Sequence, residues 1–155
     1  MQTHTVGIIS DTHGLLRPEA MKALQGVEQI IHAGDVGKPE ILDQLRAIAP
    51  VVAVRGNVDK GDWAHRLPMT EVVEFGEVLI YVLHDLNTLD LDPKAAQMDA
   101  VIYGHTHQPL IEWKRGVLYL NPGSAGPRRF DLPVSMALLR ITGKQIETEK
   151  INLNV

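Results

Sequence analysis

Two aspartates, an asparagine and four histidines sit where hydrophobic runs give out. Asp11 and His13 follow Thr5 to Ser10, Asp35 follows Gln29 to Ala33, and Asn57 follows Val51 to Val54. His84 follows Val78 to Leu83, and His105 with His107 follow Ala100 to Tyr103. Carboxylate, amide and imidazole groups are what divalent metal ions accept in place of sulfur, and the chain has no cysteine. Asp11/His13 and His105/His107 are each two residues apart, so in an extended segment both side chains of a pair face one side. Seven donors exceed the needs of one tetrahedral zinc. They suit two ions about 3.5–4 Å apart that share a carboxylate, an arrangement that clamps the attacking and leaving oxygens of phosphoryl transfer. Singly, each residue has an ordinary explanation as a turn former or a backbone-bonded histidine. Gathered at one edge, such polar loops would repel one another without cations.

The elements that must gather them alternate. A strand over Thr5 to Ser10 leads to a helix opened by Pro18, with Ala20, Met21, Leu24 and Val27 apolar. A strand over Gln29 to Ala33 leads to a second helix marked by Ile41, Leu42, Leu45 and Ile48, and a third strand covers Val51 to Val54. This order predicts parallel strands joined by right-handed crossovers, whose carboxyl ends meet along one edge. Gly34, Gly56 and Gly104 adjoin three of the donors, and a residue without Cβ lets the chain turn sharply out of a strand. Further on, Glu71 to Phe75 and Val78 to Leu83 read as a hairpin, Pro93 to Met98 as a short helix, and Ala100 to Tyr103 as a buried strand. Leu110 to Trp113 with Val117 to Leu120, and Val134 to Ile141 with Gln145 to Leu153, read as two more hairpins. The C-terminal half is therefore expected to add a mostly antiparallel sheet.

Composition narrows the possibilities. A chain of 155 residues with 45% hydrophobic content fits one domain over residues 1–155. The absence of a signal-like N-terminus and of a long apolar run predicts a soluble, cytoplasmic protein with no membrane partner. A net charge of −4 argues against a dedicated nucleic-acid surface. Lys114-Arg115 and Arg128-Arg129 read as solvated loop charges.

Asp11-Thr12-His13, Gly34-Asp35, Gly56-Asn57, a strand-end His84 and Gly104-His105-Thr106-His107 occur in the order shown by the calcineurin-like metallophosphoesterases, and the chain resembles that family. With Arg55-Gly56-Asn57-Val58-Asp59 and Asn121-Pro122-Gly123-Ser124 it is most similar to the family's small bacterial and archaeal phosphodiesterase branch. The resemblance covers nearly the whole chain. It implies an α/β fold, a sandwich of two mixed β-sheets flanked by α-helices. It implies one ion held by Asp11, His13, Asp35 and His107, and a second by Asp35, Asn57, His84 and His105, with Asp35 as the bridge. Asp35, Asn57 and His84 then form the catalytic group. The implied reaction is hydrolysis of a small phosphoester, favouring a phosphodiester, by in-line attack of a hydroxide shared by the ions. Manganese is the favoured cofactor, with iron, zinc or nickel as alternatives.

Two positions depart from the family. Val58 stands where many relatives place a histidine that protonates the leaving group, which disfavours monoesters with poor leaving groups. Asp85 stands where relatives commonly have glycine. Asp59 is expected either to orient a ligand histidine or bound water, and so to belong with the catalytic group, or to stabilise a turn. His32 is expected to pack in a strand or support a ligand, and His4 and His65 to lie on the surface. The alternatives are a non-catalytic scaffold like the related retromer subunit, and a phosphomonoesterase or cyclic-nucleotide hydrolase. A homo-oligomer is compatible with the sequence.

Overall fold

The apolar runs hydrogen bond into two five-stranded sheets. The computed structural model describes residues 2–155. Its first half runs β1 (Thr3–Ile9), α1 (Pro18–Ala23), β2 (Gln29–His32), α2 (Pro39–Arg46), β3 (Val51–Ala53) and α3 (Asp62–His65). The second half runs β4 (Thr70–Phe75), β5 (Val78–Leu83), β6 (Ala100–Ile102), β7 (Leu110–Lys114), β8 (Val117–Asn121), β9 (Ser135–Thr142) and β10 (Gln145–Asn152). The sheet orders are β10-β9-β1-β2-β3 and β4-β5-β6-β8-β7. Strands β1, β2 and β3 are parallel, as are β5, β6 and β8, so every strand that ends in a proposed ligand belongs to a parallel set.

Between the sheets lies a core built from alternate residues of both, including Val6, Ile8 and Leu139 from the first sheet and Ile80, Ile102 and Leu118 from the second. Helices α1 and α2 cover the outer face of the first sheet, packing Leu24, Ile41 and Leu45 against Ile9, Ile30 and Met136. Both helices begin with proline, carry glutamate in the first turn and a basic residue in the last, which suits the backbone dipole. At six and eight residues they are too short to persist alone, so this burial holds them.

Two expectations are corrected. The C-terminal hairpin does not build an antiparallel second sheet, because β9 pairs antiparallel with β1, Ile8 opposite Ala137, and so extends the first. The second sheet has a parallel centre and antiparallel strands only at its edges, β4 and β7. The helix predicted over Pro93 to Met98 is a single turn. Asp92 caps it through Lys94 N at 3.1 Å, and Gln97 ends it with a left-handed φ of 64° before β6 begins. The outer face of the second sheet is consequently covered by the irregular segment carrying Leu86, Leu89, Leu91 and Met98.

Ile8 is fully buried between the sheets. Ile8→Ala should lower unfolding free energy by about 2–5 kcal/mol through lost burial and a residual cavity, measured by urea denaturation; a change within error would place the main core elsewhere.

Candidate metal centre

All the proposed donors lie just beyond the carboxyl ends of parallel strands. Asp11 and His13 follow β1, Asp35 follows β2, and Asn57 follows β3; His84 follows β5, while His105 and His107 follow β6. Five of these seven residues, Asp11, His13, Asp35, His105 and His107, hold a positive φ between 47° and 75°. Left-handed backbone is costly for residues with a Cβ and collects at functional sites. Here it turns each side chain back toward the seam between the sheets. Gly34 fits its expected turning role, with φ 101° and no room for a Cβ beside the His84 ring. Gly56 and Gly104 do not. Neither has a positive φ, and their need is space, since a Cβ on Gly56 would strike the Asp35 backbone and one on Gly104 would strike Ser10 and Asp11.

The donor atoms form two overlapping groups. In one, His13 Nε2 lies 3.2 Å from His107 Nε2, 3.6 Å from Asp11 Oδ1 and 3.5 Å from Asp35 Oδ2, and His107 Nε2 lies 3.4 Å from Asp11 Oδ1. In the other, His84 Nε2 lies 3.2 Å from Asp35 Oδ2 and 3.0 Å from Asn57 Oδ1, which is 3.2 Å from His105 Nδ1. Asp35 Oδ2 belongs to both, and Asp11 Oδ1, 3.9 Å from His84 Nε2, lies against both as well. Ligands bonded at about 2.0–2.2 Å to one ion lie roughly 2.8–3.6 Å from their neighbours around a tetrahedron or octahedron, and the observed spacings within each group fall there.

Each aspartate divides its oxygens the same way. Asp11 Oδ2 accepts from Ser10 Oγ (2.6 Å) and His105 N (3.1 Å), while Oδ1 is buried without a hydrogen-bond partner. Asp35 Oδ1 accepts from Val58 N at 3.0 Å, leaving Oδ2 to the imidazoles. His84 Nδ1 donates to Ala33 O at 2.8 Å, which leaves the Nε2 lone pair toward the centre. A buried bare carboxylate oxygen and two imidazole nitrogens 3.2 Å apart are stable with a cation among them, or with protons in its place. The residues therefore fit divalent ions.

Charges follow from that crowding. Burial works against ionised Asp11, but contacts with His107, His13, His84 and Ser10 outweigh it and hold the carboxyl far below its usual range. Burial likewise opposes Asp35, and His84 with the Val58 amide brings it down overall. His13 is raised by Asp11 despite burial and the nearby Arg129, and His84 is raised because Asp35 and Asp11 outweigh its burial.

Around the centre, Asp59 takes the second of its two expected roles, His32 packs in its strand as expected, and His4 departs from expectation. Asp59 orients no histidine; its carboxylate accepts from Val36 N (3.2 Å), Gly37 N (2.9 Å) and Gly56 N (2.9 Å), tying the loop after β2 to the loop after β3. His32 is fully buried and pushed down to about 4 by that burial. Its Nδ1 accepts from Gly34 N (3.1 Å), so Nε2 carries the proton toward Thr12 Oγ1 (3.0 Å). His65 is exposed at the end of α3, whereas His4 is half-buried, 2.9 Å from Glu28 and edge-on to Phe75. Arg128 donates to the Val155 carbonyl at 2.7 Å. Sequence reasoning missed three supports. Ser10 and Thr12 anchor Asp11 and His32, and Asn121 bonds Gly104 O and Thr106 Oγ1, both at 3.0 Å, bracing the histidine loop after β6. Only the Asn121-Pro122-Gly123-Ser124 turn signal hinted at the last.

Residues 5–144 match the calcineurin-like phosphoesterase superfamily domain. The chain belongs to that family. Metallophosphoesterase relatives include a probable metallophosphoesterase of Methanocaldococcus jannaschii, 41% identical over 88% of this chain and 76% of the relative. A phosphodiesterase of the same organism is 30% identical over 76% of this chain and 82% of its own length. Among solved structures, an archaeal phosphodiesterase superposes with a TM-score of 0.78 at 25% identity, covering 95% of this chain and 99% of that one. The vacuolar protein sorting 29 protein of Cryptosporidium parvum shares the fold, with a TM-score of 0.79 at 22% identity over 97% of this chain and 98% of that one. The two mixed sheets are thus those of a metallophosphoesterase, a family that works with divalent metals. No helix among the described residues is long and apolar enough to cross a membrane.

Because His13 and His84 are raised, both hold protons more tightly than ordinary histidines, and a divalent ion must displace those protons. Metal affinity should therefore fall as pH drops, starting above the ordinary histidine value of about 6.5. Titration calorimetry in buffers of different ionisation enthalpy should show proton release; constant affinity from about pH 7.5 to pH 5 would exclude imidazole ligation.

Proposed function

We propose that this metallophosphoesterase hydrolyses a phosphodiester at a two-metal centre, with Asp11, His13, Asp35 and His107 holding one ion and Asp35, Asn57, His84 and His105 the other. The observation carrying this reading is Asp35 Oδ2, placed 3.5 Å from His13 Nε2 and 3.2 Å from His84 Nε2 and so common to both groups. The phosphodiesterase relatives support the reaction class. Divalent ions bound there would lower the pKa of water toward ~7 and neutralise phosphoryl oxygens.

The chain's own part is to fix the donors and set their charge. Asp11 and Asp35 bring two negative charges, each with one oxygen tied to protein hydrogen-bond donors so that the other cannot rotate away. His84 is locked by Ala33 O with its lone pair inward, and Asn57 contributes a neutral oxygen. Hard oxygen and borderline nitrogen donors without thiolate favour manganese, and iron, zinc or nickel are accommodated by the same set. Val58 gives its amide to Asp35, and its hydrocarbon side chain has no proton to supply to a leaving group. Esters with acidic leaving alcohols are the substrates this chemistry serves best.

Asp35→Asn keeps shape and removes the shared charge. Elemental analysis should show fewer than two ions per chain, and hydrolysis of bis-p-nitrophenyl phosphate with manganese should fall by at least ~100-fold, beyond the usual cost of losing a group that only orients a ligand. Full activity with two ions retained would refute the assignment.

A further inference from the structure

The centre opens sideways into a cavity of about 360 Å³. Asn57, His84 and His105 form its inner wall, and Asp11, His13 and His107 take no part in it. Arg55, Met69 and Tyr81 make up the body, with Asp85 and Asp90 toward one side. A phosphodiester has two ester arms, and a recess on one flank of the centre can receive one of them. The volume lies near the lower end of the roughly 300–1,000 Å³ typical of small-molecule pockets, enough for a ring system with its substituents. A larger cavity of about 790 Å³ lies at the opposite, amino-terminal ends of β5, β6 and β8. Its Lys144 and Arg115 already face Asp99 and Asp92, and it is remote from the donors.

The chemistry of the smaller cavity is mixed in a particular way. The Met69 thioether, largely exposed, gives apolar surface suited to a flat ring, and the buried Tyr81 contributes an edge of the wall beside it. Asp85 and Asp90 are acceptors only, matched to hydroxyl donors. Arg55 touches Met69 Sδ through Nε at 3.1 Å and has no carboxylate within ion-pair distance among the described residues, so its remaining N–H groups are available to oxygen acceptors. Asp85, the departure from the family's glycine, also lies 3.9 Å from His105 Nε2 and so links this recess to the centre.

Resting on the phosphodiesterase reading, the geometry points to a nucleoside-sized ester arm bound in this recess, its base against Met69 beside Tyr81 and its sugar hydroxyl toward Asp85 and Asp90. The other arm leaves on the far flank and is not selected by size.

Met69 is 57% exposed, so Met69→Trp narrows the recess without touching the core. Two measurements test the inference. In zinc-loaded protein with 13C-methyl methionine, thymidine 5′-monophosphate should shift the Met69 methyl signal saturably, and inorganic phosphate should not. Met69→Trp should lower kcat/KM for the p-nitrophenyl ester of thymidine 5′-monophosphate ~10-fold more than for methyl p-nitrophenyl phosphate. An unmoved Met69 signal, or equal losses on both esters, overturns the recess while continued turnover of the methyl ester keeps the phosphodiesterase reading. If neither ester is cleaved yet Met69 responds to the nucleotide alone, the recess stands and the phosphodiesterase reading falls.

Discussion

Two carboxylates held apart from bulk water within 4 Å of imidazole nitrogens are the constraint to which the rest of the molecule answers. Ionised aspartates at a buried point are costly unless positive charge or hydrogen-bond donors compensate them. The protein supplies donors to only one oxygen of each, Asp11 Oδ2 and Asp35 Oδ1, and turns the other inward. That division leaves the centre short of positive charge by design of its hydrogen bonding. It is the electrostatic counterpart of the family's use of divalent metal ions.

Holding such an arrangement takes strain, and the fold provides for it. Five site residues sit in left-handed backbone, each at a cost of order 1–3 kcal/mol when the residue has a Cβ. These loops spring from strands whose residues are fully buried, Ile8 and Ile9 in β1, Ile30 and Ile31 in β2, Val101 and Ile102 in β6. A closely packed interior has few ways to relax, so the strain stays at the loop tips rather than spreading into the sheets. Asp59 and Asn121 then brace pairs of segments through backbone atoms, which positions side chains they never touch.

Much of this was legible in the sequence. Apolar runs ending in Asp35, Asn57 or His84 located the strand tips, because alternation and run length are local properties. The partner of each strand was not local. Val134 to Ile141 reads as a buried strand whichever sheet it joins, and only the pairing of Ile8 with Ala137 decides that. Pro93 to Met98 has a helical composition, but the left-handed Gln97 and the short distance to β6 allow one turn. Glycine beside a donor suggested a turn at Gly56, while the structure needs an absent Cβ there for the approach of Asp35, a contact between loops 21 residues apart. Ser10 and Thr12 gave no signal, since a hydroxyl next to a motif looks like any other surface residue until burial is known.

The donors are shared unequally between the sheets: Asp11, His13, Asp35 and Asn57 come from the first, and His84, His105 and His107 from the second. Divalent ions held as proposed would be gripped from both leaves of the sandwich. Binding the folded chain and not the unfolded one, such ions would raise its stability as free metal concentration rises.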